Sequence, residues 1–183
     1  AVGLPNRYGG FESFLEQCAP SLVQRGHRVI VTCDASAYPD ERTAQFRGVE
    51  RIFLNVRANG AMSILHDAVA FGAVFMRADH IVVLGVSGGI FFPVFRMLCT
   101  LTGKRLLINI DGVEWRRTKF SWTRRLVLRV FDALAQACSH RVIYDNAALY
   151  PFVLPSAKAK ARLIAYSGDH VQRLPDAIQT PRT

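Results

Sequence analysis

The chain has 183 residues, half of them hydrophobic and a fifth charged, which is the balance of a globular protein and excludes a disordered chain. Its formal net charge of +9 favours an anionic partner such as a phosphorylated substrate, lipid head groups or nucleic acid. The least polar stretches, 58–76 and 80–95, are interrupted by charged residues or by glycines, so neither matches the about 20 apolar residues of a membrane-spanning helix. We therefore expect a cytoplasmic protein.

Four cysteines are spread along the chain without a C-x-x-C pair. Each lies in an apolar periodic segment, which predicts buried free thiols and a reducing compartment. The five histidines are scattered and form no H-E-x-x-H motif, so no metal is expected. The cysteines are Cys18, Cys33, Cys99 and Cys138.

Helices and strands alternate in the predicted order of elements. The first helix has apolar residues at i, i+3, i+4 and i+7 from Phe11 to Val23, with Gly26 at the position of its C-terminal cap and with Pro20 expected to kink it. Further helices are predicted over 63–76, 92–101, 122–138 and 147–153, and the polar stretch 34–48 is predicted to be a loop. Strands rich in β-branched residues are predicted over 28–33, 49–56, 80–84, 105–109, 141–144 and 161–165.

This alternation predicts an α/β fold of the Rossmann-like, doubly wound class, with a parallel sheet covered on both faces. The strand that normally precedes the first helix is reduced to Ala1 and Val2, so we expect the first strand to be largely missing. One domain is predicted over 1–170. The stretch 171–183 lacks periodicity and is expected to be a linker or the start of another domain.

Two glycine-rich turns are candidate anion sites. Gly9 and Gly10 precede the first helix, where backbone N–H groups and the helix dipole favour a phosphate. The turn 85–89 follows a strand at the carboxyl edge, where ligands of open α/β sheets bind. In both cases the alternative is a turn that only connects two elements, and neither turn has the G-x-G-x-x-G spacing.

Polar residues also follow three later strands. The segment 109–122 carries Asp111 and Glu114 and then basic residues between two tryptophans, while 145–146 and 168–169 are short polar pairs. Charged groups at a strand's carboxyl end are well placed to meet a substrate. The alternatives are a solvated surface for 116–119 and ordinary Asx turns for the pairs. Basic and aromatic interleaving also suits single-stranded nucleic acid, but no RRM, KH or OB pattern is present, so nucleic acid is an unlikely partner.

Four motifs in order resemble a known family. They are L-P-N-R-Y-G-G-F-E at 4–12, I-N-I-D-G-V-E-W-R-R at 108–117, D-N at 145–146 and I-A-Y-S-G-D at 164–169. Together they resemble the rhamnosyltransferase-like branch of the retaining family-four GT-B glycosyltransferases, whose N-terminal portion is described as a domain of unknown function. The resemblance covers about residues 1–171, and the run L-x-x-R-G-H-R-V-I-V at 22–31 is typical of the wider GT-B group.

The resemblance implies the N-terminal, acceptor-side half of an enzyme that moves a sugar, with rhamnose a candidate, from a nucleotide-sugar to a glycan or lipid-linked acceptor in surface polysaccharide synthesis. No cofactor and no metal are implied. Gly9 and Gly10 would bind the donor diphosphate, and Asp111 and Glu114 would be catalytic. The remaining cleft residues would be Arg7, Tyr8, Glu12, Asn109, Trp115, Arg116, Asp145, Asn146, Gly168 and Asp169.

The chain also departs from the family pattern. The E-x₇-E pair that grips the donor in the C-terminal domain is absent, and Ser167 stands where glycine is commoner. We therefore expect this chain alone to transfer no sugar. A non-catalytic sugar- or nucleotide-binding module and a basic adaptor remain alternatives. The basic segment 116–125 further predicts peripheral contact with an anionic membrane surface, at the inner face of the plasma membrane.

Overall fold

The computed structural model describes residues 1–110, 112–116 and 120–166. Within these ranges helices and strands alternate, and all strand pairs but one are parallel. The predicted Rossmann-like α/β class is therefore confirmed. The predicted domain boundary near residue 170 lies outside the described residues.

Four α-helices occur in the described part of the chain. Each agrees with a predicted helix to within two residues at either end, because its apolar side chains recur with the period of 3.6. The predicted helix over 147–153 is a 3₁₀-helix, Ala147–Phe152, which contains Pro151, a residue without a backbone N–H. The α-helices are α1 (Gly10–Gln24), α2 (Ser63–Phe75), α3 (Phe92–Leu101) and α4 (Trp122–Cys138).

The described strands belong to two sheets. The first sheet has the order β1-β3-β2, with β2 antiparallel to β3, and the second has the order β4-β5-β6-β7 and is fully parallel. Parallel strands end at the same edge, so the carboxyl ends of β4 to β6 lie side by side. The strands are β1 (Ile30–Asp34), β2 (Gln45–Phe46), β3 (Val49–Leu54), β4 (His80–Leu84), β5 (Arg105–Ile110), β6 (Arg141–Tyr144) and β7 (Ala161–Leu163).

The stretch 34–48 contains more structure than the predicted loop. A 3₁₀-helix, Ala35–Ala37, follows β1, and β2 pairs with β3 through a two-residue hairpin turn at Arg47 and Gly48. Both turn residues have positive φ, 48° and 81°, as the tightest hairpin turns require. The prediction failed here because β2 has only two residues and its turn is Arg-Gly rather than Asn-Gly.

The first residues of the chain lie against β1. The Asp34 N–H donates a hydrogen bond to the Val2 carbonyl at 2.8 Å, and both Val2 and Leu4 are buried. Gly3 has a φ of 133°, and a Cβ there would lie 2.6 Å from the Cys33 Sγ. The chain therefore enters α1 alongside the first sheet, close to the carboxyl end of β1.

Each sheet has its own hydrophobic cluster. The cluster of the second sheet joins Leu106 and Ile108 of β5 to Phe92 and Phe95 of α3. Because side chains alternate along a strand, Asn109 of β5 faces away from that cluster. The cluster of the first sheet includes Val2, Leu4, Ala19, Val31, Cys33, Tyr38 and Val49. In the described part of the chain the four cysteines are free, Cys33 and Cys99 being buried and Cys18 and Cys138 partly so.

Candidate functional site

Asn109 is the most confined polar side chain at the carboxyl edge of the second sheet. It is 1% exposed, its Nδ2 donates a hydrogen bond to the Tyr166 hydroxyl at 3.1 Å, and its backbone carbonyl accepts from the Gly85 N–H. Its Oδ1 has no hydrogen-bond partner among the described residues. A buried acceptor without a partner is destabilising by about 1–3 kcal/mol and is uncommon, so this oxygen is a candidate ligand contact.

The N-terminal half of α1 lies beside Asn109. The ring of Phe14 stacks on that of Tyr166 with 4.8 Å between centroids, and a Cβ on Gly85 would lie 3.4 Å from Phe11. Phe11 and Phe14 were predicted as the apolar face of a helix, and the structure directs that face toward the ends of β4 and β5. The helix start and the strand edge therefore form one region.

At Gly9 and Gly10, where α1 begins, close packing within the described residues does not require glycine. Gly9 is the N-cap with a φ of −166°, an extended conformation that any residue adopts, and no side chain caps the helix there. A Cβ on Gly10 would meet nothing within 4 Å, and one on Gly9 would meet only the Glu12 Oε2, at 3.6 Å. The first N–H groups of a helix have no intrahelical partner, so this turn offers donors and open space.

Glu12 occupies the interior, although it was predicted as a cleft residue. It is 2% exposed, and its Oε1 accepts a hydrogen bond from the Val2 N–H at 2.5 Å. A carboxylate in the first turn of a helix is favoured by the helix dipole. Its observed contact anchors the beginning of the chain.

Arg7 and Tyr8 precede the glycine turn and differ in their surroundings. The Arg7 guanidinium donates to the Ala37 carbonyl at 2.9 Å, pairs with Glu41 at 3.2 Å and lies 4.8 Å from the centroid of the Tyr38 ring. Tyr8 is 69% exposed. Arg7 is thus held against the segment that follows β1, while the Tyr8 ring is available to a ligand.

The glycine turn after β4 is explained largely by packing. A Cβ on Gly89 would collide with the carbonyl group of Phe131 in α4, and one on Gly88 would lie 2.6 Å from the Asp67 Cβ. Gly85 has a φ of 88°, a conformation that favours glycine. Burial raises the pKa of the Asp67 carboxyl, which faces this turn and accepts the Gly88 N–H.

The segment after β5 is only partly described. Asp111 and residues 117–119 lie outside the described residues. Glu114 begins a 3₁₀-helix, Glu114–Arg116, of which the structure describes the backbone at Glu114 but not the Glu114 side chain. Their predicted catalytic roles therefore stay predictions. Gly168 and Asp169 also lie outside the described residues.

Trp115 contributes to a separate cavity of about 210 Å³ between α4 and the segment 151–155, and Arg116 lies near it, against Phe152. The Trp115 Nε1–H donates to the Asp132 Oδ2 at 3.0 Å, and the Arg116 guanidinium lies 5.3 Å from the Phe152 ring centroid. Asp132 also accepts a hydrogen bond from the Gln136 Nε2, and burial raises the pKa of its carboxyl. This polar network was not predicted, although residues four apart on a helix share one face and could have indicated it.

Asp145 and Asn146 follow β6, and the second of them caps a helix. The Asn146 Oδ1 accepts a hydrogen bond from the Ala148 N–H at 2.9 Å, at the start of Ala147–Phe152. This is the Asx turn that was the alternative to a ligand contact. Asp145 is partly buried between this cap and the end of the strand.

A second cavity, of about 250 Å³, lies at the carboxyl ends of β1 and β3 and was not predicted. Hydrogen bonds from Ser36 and from the Ala58 N–H hold the pKa of Asp34 below its usual range, although burial acts to raise it. Two arginines share the lining with the Asp34 carboxylate and with neutral hydrogen-bonding groups. The lining residues are Asp34, Ala35, Ser36, Arg42, Asn55 and Arg57.

The described ranges contain neither a metal-binding cluster nor a membrane-spanning helix. They contain no group of three or more His, Cys, Asp or Glu side chains arranged to hold a metal ion. None of the helices in the same ranges combines the length and the apolar character needed to cross a membrane.

The fold and the polar carboxyl edge define a Rossmann-like α/β domain with a candidate ligand site beside the start of α1. The chain belongs to the family described as Domain of unknown function (DUF1972), whose model matches residues 1–169. This agrees with the part of the resemblance that pointed to a domain of unknown function. No curated protein and no solved structure matches the chain.

Proposed function

We propose that this domain is the acceptor-side half of a GT-B glycosyltransferase. It would act on a nucleotide-sugar, with rhamnose a candidate sugar, and on a glycan or lipid-linked acceptor of surface polysaccharide synthesis. The observation that carries the proposal is the buried Asn109 Oδ1, which has no partner among the described residues and lies beside an uncapped helix start. Sugars present several hydroxyl donors, and a diphosphate suits free N–H groups, so the two features fit the two halves of such a donor.

The start of α1 would bind the diphosphate. The N–H groups of the first turn are directed away from the helix body, and the open space at Gly10 lets the backbone approach an anion closely. Glu12 places a negative charge near the same turn, but its carboxylate is turned inward onto Val2. The Arg7 guanidinium, two residues before the turn, is engaged by Glu41 and by the Ala37 carbonyl.

Asn109 and Tyr166 would orient the transferred sugar or the acceptor hydroxyl. The Oδ1 accepts from a hydroxyl group, while the Nδ2 is held by Tyr166, which fixes the orientation of the amide. Preorganised contacts of this kind supply much of the catalytic effect in sugar transfer, since they position the reacting groups. Asp111 and Glu114 are the residues that we expect to handle the proton of the attacking hydroxyl.

The proposal is tested by titrating uridine- and deoxythymidine-linked sugars into the chain and into two asparagine variants. Asn109→Leu removes the acceptor, so we expect at least about tenfold weaker binding with the free energy of unfolding nearly unchanged. Asn146→Ala removes a helix cap, so we expect a loss of about 1 kcal/mol in stability with unchanged binding.

Equal binding by the parent and by Asn109→Leu would contradict the proposed site. Transfer of a labelled sugar to a lipid-linked acceptor, by a protein that also contains a donor-binding domain, separates the enzyme from a non-catalytic binding module. Binding without any transfer in that protein would favour the module.

A further inference from the structure

Three neighbouring helices expose apolar side chains on the side that faces away from the second sheet. Their relative exposure lies between 38% and 80%, far above that of core residues. We call this set the outer helix surface. Its members are Met62, Leu65, Val69 and Met76 in or beside α2, Ile90, Val94, Met97 and Leu101 in or beside α3, and Trp122, Leu126, Val127 and Val130 in α4.

The exposed rows lie opposite the buried rows of the same helices. On α3 the buried residues are Phe92, Phe95 and Cys99, and at 3.6 residues per turn Met97 and Leu101 project from the other side. A helix that is apolar on both faces is ordinarily covered on both faces. In the described chain the outer face of α3 has no cover, and Leu101 is 77% exposed.

The rows form one surface because the helices are adjacent. The ring of Phe71 in α2 stacks on that of Phe95 in α3 with 3.9 Å between centroids, and α3 also contacts α4. Isolated exposed apolar residues are normal on a soluble protein. A continuous patch contributed by three helices indicates an interaction site.

The charges of these helices identify the chemistry of the partner. Asp67 and Asp132 are the only acidic residues in α2, α3 and α4, and both are engaged inside the fold, one by Gly88 and the other by Trp115 and Gln136. The outer helix surface thus carries no acidic side chain. Exposed basic residues accompany the row on α4, namely Arg124, Arg125 and Arg129. Arg124 lies over the Phe120 ring and Arg129 over the Trp115 ring, and the Arg125 Nε donates to the Trp115 carbonyl, so their guanidinium groups are held in place while they remain exposed.

We propose that the outer helix surface docks onto the face of an anionic lipid bilayer. The apolar side chains would enter the boundary between head groups and acyl chains, and the arginines of α4 would bind lipid phosphates. Trp122, which is 75% exposed, has the amphipathic ring that favours this boundary. A second copy of the chain fits less well, because a two-fold contact through the same surface brings the arginines of both copies together.

The test is flotation of the chain with phosphatidylcholine vesicles that contain or lack phosphatidylglycerol, together with the fluorescence of Trp122. We expect binding to the anionic vesicles, a blue shift of the emission that is absent in Trp122→Phe, and weaker binding at high salt. The double variant Met97→Gln with Leu126→Gln should bind at least about tenfold more weakly. Glutamine is a good helix former, so both helices should persist.

The matched control is Leu22→Gln, which removes an exposed leucine from α1, a helix that does not belong to the outer helix surface. Its binding should equal that of the parent. The proposal is overturned if the parent does not float with anionic vesicles or if the double variant floats as well as the parent. It is also overturned if sedimentation shows a dimer that the double variant dissociates while vesicles bind neither protein, since the surface is then an interface between copies.

Discussion

The two glycine-rich turns each contain a Gly-Gly pair, and the two pairs have different surroundings. In the turn 85–89, Gly88 and Gly89 are enclosed by Asp67 and by the backbone of α4, and Gly85 has a positive φ. At the start of α1, Gly9 has an extended backbone and Gly10 has open space around it. The fold therefore requires glycine in the turn 85–89 and does not require it at the start of α1.

This difference separates a structural glycine from a candidate binding glycine. Where a Cβ would collide with protein atoms, packing alone accounts for the glycine. Where nothing in the described chain meets that Cβ, a ligand that approaches the backbone is a sufficient reason for its absence. The following substitutions test the contrast, in order of decreasing expected effect on stability.

Gly89→Ala should have the largest effect. The new methyl group would overlap the Phe131 carbonyl group, which belongs to the backbone of α4 and can move only with the helix. We expect a loss of about 3 kcal/mol in the free energy of unfolding, measured by urea denaturation. Gly72→Ala is the control, since a Cβ there meets nothing within 4 Å, and equal stability of the two variants would contradict the packing role.

Gly85→Ala should have an intermediate effect. Its φ of 88° disfavours any side chain by about 1–2 kcal/mol, and the nearest side-chain atom, on Phe11, lies at ordinary contact distance from the new Cβ. Gly26→Ala has nearly the same φ, 86°, and no neighbour within 4 Å. Urea denaturation should therefore give similar losses for both variants, and a much larger loss for Gly85→Ala would show that packing on Phe11 dominates.

Asp67→Asn should change how stability depends on pH. Burial raises the pKa of the Asp67 carboxyl in the folded chain. The folded chain therefore keeps the carboxyl proton at pH values where the unfolded chain, in which the pKa of an aspartate is about 3.9, has lost it. The stability of the parent should therefore fall as the pH rises from about 4, by less than about 1.4 kcal/mol for each pH unit. Above the raised pKa the stability should level off.

The Asp67→Asn variant does not titrate and keeps an oxygen for the Gly88 N–H, so its stability curve should be flatter over that window. Asp40→Asn, at an exposed carboxyl, is the control and should follow the parent. Parallel curves for the parent and Asp67→Asn, obtained by thermal unfolding at a series of pH values, would remove Asp67 as the cause.

Gly10→Ala should have the smallest effect on stability, and the opposite sign. Alanine is a better helix former, and the site has room for the methyl group, so we expect a gain of about 0.5 kcal/mol. Calorimetric unfolding of the variant and of the parent measures this difference. A loss of more than about 1 kcal/mol would mean that the fold does require glycine at the start of α1.

Most of the fold could be predicted because the helices and strands carry clear periods. Predicted ends agree closely for α3, α4, β4 and β6, where apolar runs are bounded by glycine or polar residues. The short strand β2 was missed because two residues cannot show a period. The division of the strands into two sheets was not predicted either, since pairing depends on contacts between residues far apart in the chain.

For the candidate site, only its location at the carboxyl edge of the sheet could be predicted. The positions of Asn109 and of the glycine turns follow from where strands and helices begin and end. Whether a side chain is free or engaged depends on tertiary contacts, so the inward carboxylate of Glu12 and the capping role of Asn146 could not be predicted. The network of Trp115, Asp132 and Gln136 joins α4 to the segment after β5; the spacing of Asp132 and Gln136 indicates a shared helix face, but their contact with Trp115 depends on the tertiary fold.

The most direct test of the account is the titration of a nucleotide-sugar into the parent chain and into Gly10→Val by isothermal calorimetry, with urea denaturation of both. A Cβ at Gly10 meets nothing within 4 Å, and a valine side chain there would occupy the space in which a diphosphate approaches the backbone. We predict nearly equal stability and about 10- to 100-fold weaker binding, the loss expected for a charge-assisted hydrogen bond. Equal binding by the two proteins would contradict the claim that the start of α1 receives the donor diphosphate.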